Sequence, residues 1–212
     1  RRPIVFASNA HFLISRAKKL YDLKEFNPIF LPNPIYYPDL SKIKKSEKPS
    51  VCLLGRLDPV KRPWLYFELA KKFKHVDFFV CGESGYKDIM DPIIKKYQSV
   101  ENLKFLGLVE KERKEKILTE SWVLINTSIH EGLPCSFLEA YAYAMPILSC
   151  LNPDQLVSQF GYYTGEDLGN GNEATINKFS EGLEMLLSDK RLLLEKGYQA
   201  RKHIEKIYNF EN

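Results

Sequence analysis

A chain of 212 residues can form one large domain, or one domain with a short extension. Its composition, 44% hydrophobic and 27% charged, is that of an ordinary soluble globular protein, and no run of about 18 apolar residues exists to form a membrane-spanning helix. With 31 basic against 27 acidic residues the net charge is +4, too balanced to imply nucleic acid as a partner.

The chain opens Arg1-Arg2-Pro3 and runs straight into Ile4-Val5-Phe6-Ala7, without an initiator Met or a signal-peptide pattern. It reads as a fragment of a longer protein. The apolar residues 4–7 predict a short strand, and Ser8-Asn9 offer helix caps for a segment from about 10 to 21. The prolines of Asn27-Pro28-Ile29-Phe30-Leu31-Pro32-Asn33-Pro34 hold this stretch extended. A polar, Lys-rich loop over 41–49 follows, and Lys42-Ile43-Lys44-Lys45 reads as solvated. This loop separates a first unit from the main domain.

From Ser50 onward, apolar runs at 51–54, 76–81, 103–106, 122–125 and 146–150 alternate with helical segments near 62–74, 87–98, 110–120 and 134–144. Apolar strands without polar alternation, spaced by helices, predict a parallel sheet buried on both faces. The fold class is therefore α/β, a Rossmann-like doubly wound parallel sheet. Two closing helices are expected at 173–187 and 189–208, with Asp189 as a cap between them. The charged run Lys111-Glu112-Arg113-Lys114-Glu115-Lys116 reads as a solvated helix face. Cys52, Cys81, Cys135 and Cys150 lack zinc-site spacing, and three lie in or at the end of apolar runs, where cysteine acts as a small hydrophobe. A reduced, cytoplasmic protein is expected, with contact to an anionic membrane surface as the minority reading of its lysine runs.

Two segments carry chemistry. Gly55-Arg56-Leu57-Asp58-Pro59-Val60-Lys61-Arg62-Pro63 leaves the first strand of the main domain. Arg56 presents a planar fork and Lys61 a point charge, both suited to phosphate oxygens. Taken alone, this could equally be a surface loop. The second segment, Glu131-Gly-Leu-Pro-Cys-Ser-Phe-Leu-Glu139, surrounds a helix start. Pro134 suits the first helical position, and the amides of Cys135 and Ser136 would then point outward and could hold a phosphate or sugar oxygen. Glu131 lies before the helix and Glu139 about a turn and a half inside it. A carboxylate at Glu139 can accept from vicinal ribose hydroxyls; the bland alternative is a solvated Glu139 and a Glu131 that only favours the helix N-terminus. Both segments fall outside the carboxyl ends of strands, where such sheets bind ligands. Together they describe a pocket for a diphosphate with a polyhydroxylated group at each end, a nucleotide sugar.

These residues, with Glu139-Ala140 ahead of Pro146-Ile147, resemble the donor-binding C-terminal half of a retaining GT-B glycosyltransferase of family four, often called group 1. The resemblance implies Arg56, Lys61, Cys135 and Ser136 on the donor diphosphate. It implies Glu131, with Gly132 and Leu133, at the transferred sugar, Glu131 being the catalytic residue, and Glu139 on the ribose. The base is expected near Leu108 and Val109, with Gly82 lining the cleft. The implied activity is transfer of a hexosyl group from a nucleoside diphosphate to an acceptor hydroxyl with retention. Neither motif supplies metal-ligand spacing, so no metal or other cofactor is expected. Sugar-nucleotide epimerases of the same fold and a non-catalytic nucleotide-binding module are the alternatives. The glycan or lipid-linked acceptor would bind through an N-terminal domain absent from this fragment, with peripheral contact at a cytoplasmic membrane surface. Residues 1–48 then correspond to the end of that domain and a linker, 49–188 to the nucleotide-sugar domain, and 189–212 to a C-terminal helix. Two positions depart from the family: Ala144 stands where Gly is usual, and Leu151-Asn152-Pro153-Asp154-Gln155 replaces a Gly-Gly stretch with Glu.

Overall fold

A computed structural model describes residues 5–22 and 27–208. The first unit is a small β-α-β arrangement. Strand β1 (Ala7–Ser8) leads into α1 (His11–Leu20), and β2 (Ile29–Phe30) pairs parallel with β1. The strand expected at 4–7 thus starts later, and Ile4 lies outside the described residues. Neither Ser8 nor Asn9 caps α1. The Asp154 carboxylate, far along the chain, accepts from His11 N at 3.0 Å and Phe12 N at 2.7 Å, while the Ser8 hydroxyl turns back to Ala10 O.

The main domain alternates strands and helices as its apolar runs predict. Its elements are β3 (Ser50–Leu54), α2 (Pro63–Lys72), β4 (Asp77–Cys81), α3 (Lys87–Tyr97), β5 (Leu103–Gly107), α4 (Lys111–Glu120), β6 (Val123–Asn126), α5 (Cys135–Ala142) and β7 (Ile147–Ser149). Beyond the predicted set come α6 (Leu156–Phe160) and a two-residue strand, β8 (Tyr162–Tyr163), before α7 (Glu173–Ser188) and α8 (Lys190–Ile207). Asp189 caps α8 as expected, its carboxylate accepting from Arg191 N at 2.8 Å and Leu192 N at 3.1 Å.

The six strands pair in parallel in the order β5-β4-β3-β6-β7-β8. Strand order reverses direction between β3 and β6, which makes that boundary the topological switch point of a doubly wound sheet. Successive residues of a strand face opposite sides, and both sides are buried here. Val51, Leu53, Val123 and Ile125 enter one core with α2, α3 and α7. Cys52, Leu124 and Ile147 enter the other, against α5, α6 and α8. Continuous apolar runs are the consequence.

Lys45 corrects the reading of its run as solvated. Its Nζ donates to Leu118 O at 3.2 Å and Tyr143 O at 3.1 Å, at the ends of α4 and α5. A helix C-terminus leaves carbonyls without intrahelical partners, and the four-carbon stem lets a loop lysine reach them. Burial pushes its ammonium down to about 7.

Candidate functional site

The switch point opens a cleft of about 570 Å³ beyond the carboxyl ends of β3, β4 and β6. Its floor is built by two glycines. Gly55 (φ +147°) and Gly82 (φ +153°) adopt backbone conformations that other residues rarely take. A Cβ on Gly82 would sit 1.9 Å from Gly55 O, so the strand ends can approach this closely only without side chains.

After Gly55 the chain makes a short 3-10 turn, Pro59–Lys61, capped by Asp58, whose carboxylate accepts from Lys61 N at 3.2 Å. Arg56 remains largely exposed, 3.6 Å from Asp58, so its guanidinium can turn into the cleft. Arg62 does the opposite. It has left-handed backbone (φ +45°) and is fully buried. Its guanidinium donates to Thr127 O at 2.8 Å, Asp167 Oδ1 at 3.0 Å, Gly169 O and the Cys150 sulfur. Burial pushes the Asp167 carboxyl upward, but hydrogen bonds from Thr175, Arg62 and Gly169 outweigh it and hold the group below its ordinary value. Thr127 Oγ1 adds bonds to Lys61 O and Arg62 O. The loop is thereby fastened to the end of β6, which fixes where Lys61 points.

Lys61 points at Glu131. Its Nζ and Glu131 Oε1 form a close ion pair, and Ser128 Oγ donates to the same oxygen at 2.7 Å. The cation from one chemical segment and the acid from the other therefore meet across the switch point. Helix α5 starts at Cys135, with Pro134 in the preceding cap position (φ −63°, ψ +133°) rather than in the first turn as predicted. The first bond inside the turn runs from Phe137 N to Pro134 O. The amides of Cys135 and Ser136 precede it and belong to the unpaired donors of a helix start. On the next turn Glu139 accepts from Lys114 Nζ at 2.6 Å.

Of the predicted site residues, Arg56, Lys61, Leu108, Val109, Glu131, Cys135, Ser136 and Glu139 all line this one cleft, as does Gly82. Two do not. Leu133 is only 4% exposed and packs into the core with α5, so only its backbone is available to a ligand. Gly132 lies under α1, where an added Cβ would come within 3.3 Å of Leu13. His130 is exposed beside Glu131. Lys114, expected on a solvated face, lines the cleft instead. Its spacing ahead of Ile117 and Leu118, the buried residues of α4, is the signal that marks it as facing inward. A buried role for Arg62 has no comparable sequence signal, because its partners lie on distant segments. Among the described residues no group of three or more His, Cys, Asp or Glu is arranged to hold a metal ion, and no helix is long and apolar enough to cross a membrane.

The family model described as "Glycosyl transferases group 1" matches residues 39–203. The chain belongs to this family. The group 1 match takes in the whole sheet and every residue of the cleft described above. A human relative, one of the subunits of phosphatidylinositol N-acetylglucosaminyltransferase, is 24% identical over 82 residues, covering 39% of this chain and 17% of that protein. TarM of S. aureus, solved with fondaparinux, alpha-GlcNAc-glycerol and UDP, superposes with a TM-score of 0.74 at 23% identity, over 98% of this chain and 41% of TarM. The C-terminal domain of a group 1 family protein (LpcC) from Francisella tularensis has a TM-score of 0.64 at 16% identity, over 82% of this chain and 99% of that domain. The group 1 chain therefore spans less than half the length of TarM, and its fold is the C-terminal half of a GT-B glycosyltransferase.

Proposed function

We propose that this chain is the donor-binding half of a retaining glycosyltransferase that moves a hexosyl group from a nucleoside diphosphate to an acceptor hydroxyl. The observation that carries the reading is the convergence, in one cleft at the switch point, of Arg56, Lys61, the start of α5, Glu131 and Glu139. The first three suit a diphosphate. The two carboxylates, held by different lysines, Glu131 by Lys61 and Glu139 by Lys114, suit hydroxylated groups at its two ends.

In this reading Arg56, Lys61 and the Cys135 and Ser136 amides stabilise the diphosphate as negative charge builds on it during bond cleavage. The Arg62 and Thr127 bonds hold the loop backbone at Lys61 in place beforehand, whereas Arg56 turns in from its exposed position. Glu131 orients the sugar, and the diphosphate draws on the Lys61 ammonium, which now shares Glu131 Oε1 with the Ser128 hydroxyl. Glu139 takes the ribose, and the base rests against Leu108 and Val109. UDP is the first donor nucleotide to test, since TarM binds it. Residues 1–48 belong with an acceptor-binding domain and its linker, 49–188 with the nucleotide-sugar domain, and 189–212 with a closing helix. The acceptor, a glycan or a lipid-linked glycan, binds across the cleft from that other domain. The 212-residue chain binds donor and does not turn it over alone.

Calorimetric titration with UDP, GDP and ADP tests this. Saturable binding of one nucleotide, weakened about tenfold or more by Arg56→Ala and by Glu139→Ala, is the expected result. A folded chain that binds none of the three contradicts the reading.

A further inference from the structure

The first turn of α4 carries Lys111, Arg113 and Lys114 with Glu112, and Glu110 stands at the cap position. Lys114 is the member that the fold turns inward. It stands one turn before Ile117 and Leu118, and its ammonium crosses to α5 to reach Glu139 Oε1 at 2.6 Å. The two side chains remain 33% and 28% exposed. A pair so accessible adds little to stability, so packing of α4 gives it no evident reason to be there. The bond occupies Oε1, and among the described residues no group donates to Oε2.

We propose that Lys114 is a positioning residue for the donor's ribose, holding Glu139 through Oε1 so that Oε2 accepts from the ribose hydroxyls. The proposal rests on the donor-site reading above. Glutamate has three rotatable side-chain bonds, and a carboxylate that must be ordered on binding loses part of what its hydrogen bonds contribute. Lys114 orders it in advance. Its charge also offsets the repulsion between the Glu139 carboxylate and a diphosphate bound at Arg56 and Lys61, groups that line the same cleft. Lys114 thus acts on the ribose through Glu139 and needs no contact of its own with the nucleotide.

The test is a thermodynamic cycle on the whole 212-residue chain. Dissociation constants are measured by calorimetry for UDP, GDP, ADP and their 2′,3′-dideoxy counterparts. The proteins are the native sequence, Lys114→Met, Lys114→Arg, Glu139→Gln and the Lys114→Met/Glu139→Gln double variant. The native chain should lose about tenfold or more in affinity when the hydroxyls are removed. In Lys114→Met that ratio should fall to about threefold or less, and Lys114→Arg should restore most of it. Glu139→Gln should abolish the ratio, and adding Lys114→Met to it should change nothing further, as expected for residues acting as one unit. A merely structural Lys114 would lower affinity for both nucleotide forms alike. An undiminished ribose ratio in a Lys114→Met protein with native thermal midpoint overturns the proposal while leaving the donor site standing. A native chain that binds none of the six nucleotides overturns the donor-site reading and this proposal together.

Discussion

Adjacent cations in the loop after β3 do different work, and burial separates them. Lys61 keeps about a quarter of its side chain exposed and meets one acid, Glu131, at the cleft. Arg62 is wholly enclosed and satisfied by four partners. Removing the buried member of such a hydrogen-bonded charge pair costs about 3–5 kcal/mol, because the Thr127 and Gly169 carbonyls lose their donor and Asp167 its cation. Arg62→Ala should therefore lower the urea midpoint sharply, by that order of free energy. Lys61→Met should do little to the midpoint. It should instead weaken nucleoside diphosphate binding by about ten- to a hundredfold, from the loss of a charge-assisted bond of about 1.5–3 kcal/mol. Chemical denaturation and calorimetry of the two variants side by side check the division. If Lys61→Met unfolds the chain, or Arg62→Ala affects binding alone, the assignment of roles is reversed. The family resemblance singles out Lys61 for the diphosphate, but nothing in Lys-Arg-Pro shows that its neighbour Arg62 is buried.

At the scale of the element, the end of α5 collects several consequences of one residue choice. Ala144 has φ +50°, and Ala144 N donates to Tyr141 O while Met145 N donates to Ala140 O at 2.9 Å. This is a Schellman ending, whose left-handed residue is usually glycine. An alanine there costs about 1–2 kcal/mol in steric strain, offset in part by glycine's greater freedom in the unfolded chain. Ala144→Gly should raise the thermal midpoint by a few degrees, corresponding to roughly 1 kcal/mol. The departure from the family at this position is thus a cost in stability and leaves the cleft untouched. The same helix end is held by side-chain donors: Arg201 donates to Ala142 O, and Lys45 to Tyr143 O. Burial depresses Lys45 from 10.5 to about 7, which has a definite sign. Between about 7 and 10.5 the unfolded chain binds the proton that the folded chain has released, so this group's contribution to stability rises with pH across that window. The slope is at most about 1.4 kcal/mol per pH unit. Urea melts at pH 7 and pH 9 should show the rise in the native chain and a flatter profile in Lys45→Met, and identical profiles would show that Lys45 does not titrate there.

Over the whole molecule, what repeats locally was legible and what closes over distance was not. The apolar runs named five strands of the main sheet because strands buried on both faces need no polar alternation. Strand β8 and helix α6 escaped because two and five residues are too short for any periodicity to register. The cleft was legible through its two segments, since strand ends in such sheets are where ligands bind. Asp154 shows the opposite case. It falls where the family pattern departs, and nothing in the neighbouring sequence hints that its carboxylate caps α1 and also accepts from the Tyr208 hydroxyl at 3.0 Å. Its left-handed backbone (φ +47°) is strained for a residue with a side chain, which the three bonds offset. Asp154 thereby joins the loop after β7, the end of α8 and the N-terminal helix, and α1 in turn sets Leu13 over Gly132 at the rim of the cleft. An N-cap is worth about 0.5–2 kcal/mol, enough to change local opening of α1 by several-fold or more without unfolding the sheet. Hydrogen exchange of Asp154→Ala should therefore show faster exchange in α1 and near-native protection in β3 and β6. Asp154→Gly should behave the same way although it relieves the backbone strain, because the lost cap is what matters. If α1 keeps its protection in both variants, packing of Phe12 and Leu13 against the core, and not the distant carboxylate, holds the first unit in place.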